Sequence, residues 1–163
     1  MELGQHNFDD DFFAERKSMP SVATKIKSLR PSIKNIYYYS GNPEDADLVL
    51  EYDTGFKSLL EVKEDKYCAV SGRIAIEVSC NGKDSGINRT KADEFLYVVH
   101  THLNQSIEEC EFVFIPTPVI RKIAEESNEK IIIEKAGDGG RAKVYLFNFE
   151  VFKQLVSQEL NKI

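Results

Sequence analysis

Tryptophan is absent, cysteine occurs only three times, and no stretch approaches the run of about 20 apolar residues that crosses a bilayer. A helical membrane span is therefore not expected. The opening MELGQHNFDDDFF lacks the basic and apolar regions of a secretory signal, so the chain reads as a soluble, cytoplasmic protein with no membrane partner. Cys68, Cys80 and Cys110 stand far apart with no CxxC spacing, which excludes a thiol zinc site or a dithiol redox pair and leaves buried or incidental thiols. Excess positive charge is also missing. With 27 acids against 21 bases the net charge is -6, which argues against a protein that coats nucleic acid through charge alone. No repeat, low-complexity tract or long linker divides the chain, and 42% hydrophobic content suffices for one core, so residues 1–163 are expected to form a single domain.

What charge there is lies segregated. Asp9, Asp10, Asp11 and Glu15 are followed by a stretch from Arg16 to Lys34 with six bases and no acid: Arg16, Lys17, Lys25, Lys27, Arg30 and Lys34. It reads either as a solvated helix face or as a local patch for the DNA backbone.

Hydrophobic periodicity sketches the elements. Residues 8–17 suggest a helical turn or two, Pro20 interrupts or restarts the helix, and Val22, Ile26 and Leu29 recur at helical spacing up to Arg30-Pro31. Ile33 to Ser40 is β-rich and ends at Gly41-Asn42-Pro43. Asp47 to Asp53 and Phe56 to Lys63, joined at Thr54-Gly55, predict a β-hairpin, and Arg73 to Cys80 a further strand. After the polar loop SCNGKDSG, the spacing of Ala92, Phe95, Leu96, Val99 and Leu103 predicts a central helix over Asn88 to Leu103. Glu111 to Ile115 predicts a buried strand, about Val119 to Ser127 a helix, Ile131 to Glu134 with Ala142 to Phe147 a hairpin around GDGG, and Phe149 to Leu160 a closing helix.

The chemistry concentrates in the first hairpin. Side chains alternate across a strand, so Glu61 and Lys63 share one face while Leu60 and Val62 share the other. In the preceding strand Asp47, Val49, Glu51 and Asp53 share a face, with Leu48, Leu50 and Tyr52 opposite. The two strands can bury their leucines together and bring acid beside acid and lysine. In the strand Arg73 to Cys80, Ile74, Ile76 and Val78 leave Ala75, Glu77 and Ser79 on the reverse face, so Glu77 can join the same cluster. Neighbouring carboxylates repel, and a hard cation such as Mg2+ relieves that repulsion. Such an ion, with Mn2+ as a substitute, can polarise a phosphodiester and stabilise charge on its leaving oxygen.

Asp47, thirteen residues, then Glu61-Val62-Lys63, on successive strands after an N-terminal helix, resembles the PD-(D/E)XK nuclease superfamily, which includes restriction endonucleases and archaeal-type Holliday-junction resolvases. The resemblance covers about residues 8–120. It implies an α/β restriction-endonuclease-like core of about αβββαβ order, a central mixed sheet flanked by helices. It implies metal-binding and catalytic roles for Asp47 and Glu61, with Lys63 serving the water or the phosphate. Members often add an acid from the first helix: Glu15 is the match for it, and Glu77 competes as a further ligand. Ala46 stands where proline is common in the family, and the strand RIAIEV is inserted between the motif strand and the expected central helix.

Other features are weaker. Arg89, Thr90 and Lys91, at the start of the expected helix, can reach a phosphate or be ordinary first-turn residues. His100 and His102 diverge by about 200° on a helix and are expected as surface or helix-end residues. GDGG reads as a hairpin turn, and Phe12, Phe13 and Tyr37 to Tyr39 as core before stacking platforms. The function expected is a Mg2+-dependent DNA endonuclease, junction-resolvase-like or restriction-type, of the kind used in DNA recombination. Such enzymes act as homodimers, and EFVFI or the last helix can supply the interface. The alternatives are a non-catalytic nucleic-acid or protein-binding module of nuclease-like fold, and a structural partner protein whose acid cluster is only a solvated hairpin.

Overall fold

Helix α1, Met19–Leu29, carries Pro20 in its first turn, where the missing N–H costs nothing, and stops at Arg30 because Pro31 disfavours helical backbone before it. Met19, Val22, Ala23 and Ile26 form its buried stripe, whereas Leu29 is half exposed. The computed structural model describes residues 17–163; the turns expected over residues 8–17 lie, except for Lys17, outside the described residues, with Phe12, Phe13, Glu15 and Arg16 among them.

Strands β1 (Ile33–Tyr38), β2 (Leu48–Tyr52) and β3 (Lys57–Asp65) form an antiparallel meander. The β2–β3 turn closes through Gly55, whose φ of +86° explains the glycine. Strand β6, Glu94–Val99, then runs parallel to β3, and β7, Glu111–Pro116, pairs with its far side, giving the order β1-β2-β3-β6-β7. Parallel neighbours need a crossover. Here it consists of the four-residue helix α2 (Cys68–Ser71), strands β4 (Arg73–Cys80) and β5 (Lys83–Asp84), and a single 3-10 turn at Gly86–Asn88. After β7 come α3 (Thr117–Glu126), β8 (Ile131–Ala136), β9 (Ala142–Asn148) and α4 (Phe149–Leu160). A second, antiparallel sheet has the order β5-β4-β9-β8. The described residues thus form an α/β protein with four helices, a five-stranded mixed sheet and a four-stranded antiparallel one.

The strand β6 of the five-stranded sheet is buried on both faces. Leu48, Leu50, Leu60, Leu96 and Val98 pack on α1. Phe95, Tyr97, Val99 and Ile115 pack on Ile74, Ile76 and Phe147 of the second sheet and on Ile120 and Phe152 of α3 and α4. That double burial overturns one expectation: residues 88–103 are not a helix. The run Phe95–Val99 is continuously apolar, aromatic and β-branched, as a strand buried on both faces requires, and the helical spacing was a by-product of that density. Leu103, expected on the helix face, is exposed. The αβββ half of the expected order is present, while α2, β4 and β5 occupy the stretch before the next strand of the sheet. The remaining strands and helices fall where periodicity placed them, within a few residues.

Candidate active site

The first hairpin places its ionisable residues as alternation predicts. The ladder partner of Leu48 is Leu60, and Asp47 follows at the end of that ladder, next to the backbone that carries Glu61. Two hydrogen bonds hold it there. The Asp47 N–H donates to the Leu60 carbonyl at 3.0 Å, and Asp47 Oδ2 accepts the Val62 N–H at 2.7 Å, so the aspartate grips the backbone on either side of Glu61. Asp47 and Glu61 are only 5% and 8% exposed. Lys63 Nζ lies 3.1 Å from Glu61 Oε1, with 40% of its own side chain in solvent. Glu51, further along the same acidic face, is occupied by Asn35 at 2.8 Å and Lys57 at 3.6 Å.

Asp65 continues the alternation of Glu61 and Lys63, a signal present in LLEVKED that points to a third ionisable group on this face. It acts as a bolt between the sheets. Asp65 Oδ1 accepts the Cys68 N–H at 3.0 Å and Oδ2 the Ala75 N–H at 3.1 Å, while the Tyr97 hydroxyl donates to the Ala75 carbonyl at 3.3 Å. The edge of β4 is thus docked through two side chains. Burial pushes the Tyr97 hydroxyl's pKa far up, and the charges of Asp65, Glu61 and Glu77 add to it, so this phenol stays protonated and donates.

Glu77 faces away from Ile74, Ile76 and Val78 as expected and accepts the Ser85 hydroxyl at 2.5 Å. It borders a cleft of about 290 Å³ together with Lys63, Asp65, Tyr67 and Tyr97; Asp47 and Glu61 are not among the lining residues. Lys63 therefore belongs to both the buried carboxylate pair and the open cleft. Gly86 closes the floor: a Cβ there would meet the Glu77 carbonyl at 2.2 Å, so only glycine lets this loop approach β4.

Among the described residues no three His, Cys, Asp or Glu side chains gather around one point as a metal site. The pair Asp47 and Glu61 nonetheless suits Mg2+, which takes one or two carboxylates and completes its octahedron with water and substrate phosphate. Glu15 lies outside the described residues.

The basic residues are placed differently from the expectation of a free DNA-binding stripe. Lys25 Nζ donates to the carbonyls of Glu108 and Cys110 at 2.7 and 2.6 Å and lies 4.4 Å from the Phe112 ring centre. Arg30 forms a two-pronged pair with Glu94, both bonds 2.7 Å, and stacks 3.9 Å from the Phe114 ring centre. Both fasten α1 to the sheet. Lys27 and Lys34 face solvent. Arg30→Gln is expected to lower the free energy of unfolding by about 2 kcal/mol, because it breaks a charge-assisted pair and leaves Glu94 part-buried without its cation. Lys27→Gln should stay within about 0.5 kcal/mol of the parent. Denaturant titrations check both, and equal effects would refute the distinction.

Arg89 and Lys91 are not at a helix N-terminus. Arg89 binds Asp45 at 2.8 Å and Glu44 at 3.4 Å, Lys91 lies 3.5 Å from Asp45, and the Thr90 hydroxyl donates to the Asp45 carbonyl at 2.9 Å. They pin the segment just before Asp47, and Lys91 remains mostly exposed.

His100 is buried rather than superficial, with Nε2 3.1 Å from Glu64 Oε2, while His102 is exposed. Burial works against the charge on Glu64, yet hydrogen bonds from Ser18 and His100 and the charges of Lys66 and His100 together outweigh it, so its pKa lies below the usual 4.5. A depressed folded-state value means stabilisation that is present above the ordinary carboxylate range and is lost as pH falls through it and on past the folded value. Glu64→Gln should therefore flatten the loss of stability between about pH 5 and pH 3. Parallel slopes for the two proteins would show that Glu64 makes no such contribution.

No family model, no curated protein and no solved structure matches the chain.

Proposed function

We propose that this protein is a Mg2+-dependent endodeoxyribonuclease with a restriction-endonuclease-like core. The observation that carries the reading is the pair of nine-tenths-buried carboxylates, Asp47 and Glu61, on adjacent strands with the Lys63 ammonium against one of them. Burying two like charges together is unfavourable, and a hard divalent cation held between them relieves that repulsion. The meander β1-β2-β3 after α1, with β6 parallel beside β3, supports the resemblance as well.

In this reading Asp47 and Glu61 hold the ion, and Mn2+ replaces Mg2+. The ion supplies positive charge to the scissile phosphate and its leaving oxygen. Asp47 is oriented by the Val62 N–H, which holds its carboxylate against the backbone beside Glu61. Lys63, on the cleft side, orients the attacking water and screens the phosphate. Asp65 on β3 and Tyr97 on β6 lock this sheet against β4, so that the strand carrying Glu61 and Lys63 is held in place. The substrate is duplex or branched DNA cut by a homodimer.

One observation favours a non-catalytic binding module: Lys25 and Arg30 are spent on internal contacts, which leaves less positive surface for DNA. Incubation with supercoiled, linear and four-way-junction DNA, with and without Mg2+ or Mn2+, separates the two readings. Metal-dependent cleavage lost in Asp47→Asn supports the nuclease; intact DNA under all conditions refutes it.

A further inference from the structure

Most aromatic residues here are buried or half-buried, and among the described residues Phe56 and Tyr67 are the exposed ones, at 64% and 47%. Phe56 caps the β2–β3 turn with its ring 5.9 Å from that of Tyr52, which gives it a local packing role. Tyr67 stands elsewhere. It follows directly on β3 and borders the cleft alongside Lys63, Asp65 and Lys66. Its neighbours Lys66 and Val70 are open to solvent, the lysine side chain at 76% and the valine at 68%.

The backbone under this ring is fixed. The Tyr67 carbonyl accepts the Val70 N–H at 3.1 Å, the Ser71 N–H at 2.9 Å and the Ser71 hydroxyl at 2.9 Å, while the next residue's N–H is held by Asp65. A ring on a rigid turn, left in water at the rim of a cleft that Lys63 and Lys66 also line, each beside a glutamate at 3.1 and 3.6 Å, has the three parts of a nucleotide site. It offers a face for a flat base and cations for the adjacent phosphates, and little ordering entropy remains to be lost.

We propose that Tyr67 is a base-stacking platform, which takes an unstacked base of a DNA strand while Lys63 and Lys66 meet the phosphates on either side. The inference deepens the nuclease reading and rests on it for the identity of the ligand. A base inside continuous duplex offers no free face, so the site favours single-stranded, frayed or branched DNA over intact duplex.

The test is binding of the full chain to a single-stranded oligonucleotide carrying 2-aminopurine, in EDTA so that neither metal nor cleavage contributes. Wild type and Tyr67→Phe should bind with similar affinity and change the probe's fluorescence. Tyr67→Ala should bind about tenfold more weakly, the lower part of the range for one stacked base, with the fluorescence change lost. A blunt duplex should bind more weakly than the single strand and be indifferent to Tyr67→Ala. Unchanged affinity and fluorescence in Tyr67→Ala, or no binding of single strands by wild type, overturns the proposal. A protein that binds through Tyr67 yet never cuts keeps this inference and loses the nuclease reading; one that cuts normally with Tyr67→Ala unaffected does the reverse.

Discussion

Asp47→Asn is expected to remove divalent-ion binding in the millimolar range and to lower DNA cleavage by about a hundredfold or more, the scale at which metal ligands and their supports act. Folding should not suffer. The bond from the Val62 N–H at 2.7 Å needs only an oxygen acceptor, which asparagine retains, and one buried charge beside Glu61 disappears. Stability without metal should fall less than in the alanine variant. Asp47→Ala makes the contrast, because it leaves that N–H without its acceptor and should cost about 1–3 kcal/mol. Calorimetric titration with Mg2+ or Mn2+, run beside denaturant unfolding and cleavage assays, reads all three quantities. An asparagine variant that binds the ion and cuts like wild type would remove Asp47 from the site and leave the carboxylate pair as a feature of folding alone.

How far the site was legible depends on the range of the interactions involved. Alternation is local, so the sharing of a face by Glu61 and Lys63, and the approach of Asp47 to them, could be read from DLVLEYD and LLEVK. Asp65 carried the same signal and went unused because its partners, Cys68 and Ala75, belong to a helix of one turn and to the other sheet. The strand at Glu94–Val99 defeated periodicity for a physical reason. A strand covered on both faces has no polar phase, and Ala92, Phe95, Leu96 and Val99 then match a helical spacing by chance. The basic stripe shows the same limit of local reading. Its charges look unopposed within Arg16 to Lys34, but Arg30 finds Glu94 64 positions away and Lys25 finds a carbonyl 85 positions away. Such pairings follow from the packing of α1 on the sheet, which no local pattern encodes.

Lys63→Ala should separate the chemistry from the binding of the ion. Lys63 touches Glu61 Oε1 at 3.1 Å while much of its side chain is open to solvent, so the ion pair is screened and its removal should cost no more than about 1 kcal/mol. Without the ammonium, Glu61 and Asp47 keep their positions, which are set by the β2–β3 ladder and the Val62 N–H rather than by the lysine. Affinity for Mg2+ should therefore be retained or rise, since a competing cation has been taken away. Cleavage should fall by about 10²–10⁴, the usual contribution of a positioned group that serves the attacking water and the phosphate. Cleavage of a junction substrate and calorimetry on the same preparation give the two readings, and Asp47→Asn, which should lose both, is the reference. If Lys63→Ala cuts as fast as wild type, the lysine is only a counter-charge for a buried acid. Loss of ion binding together with loss of cleavage would instead mean that Lys63 holds the carboxylate pair in place, and its role would be structural.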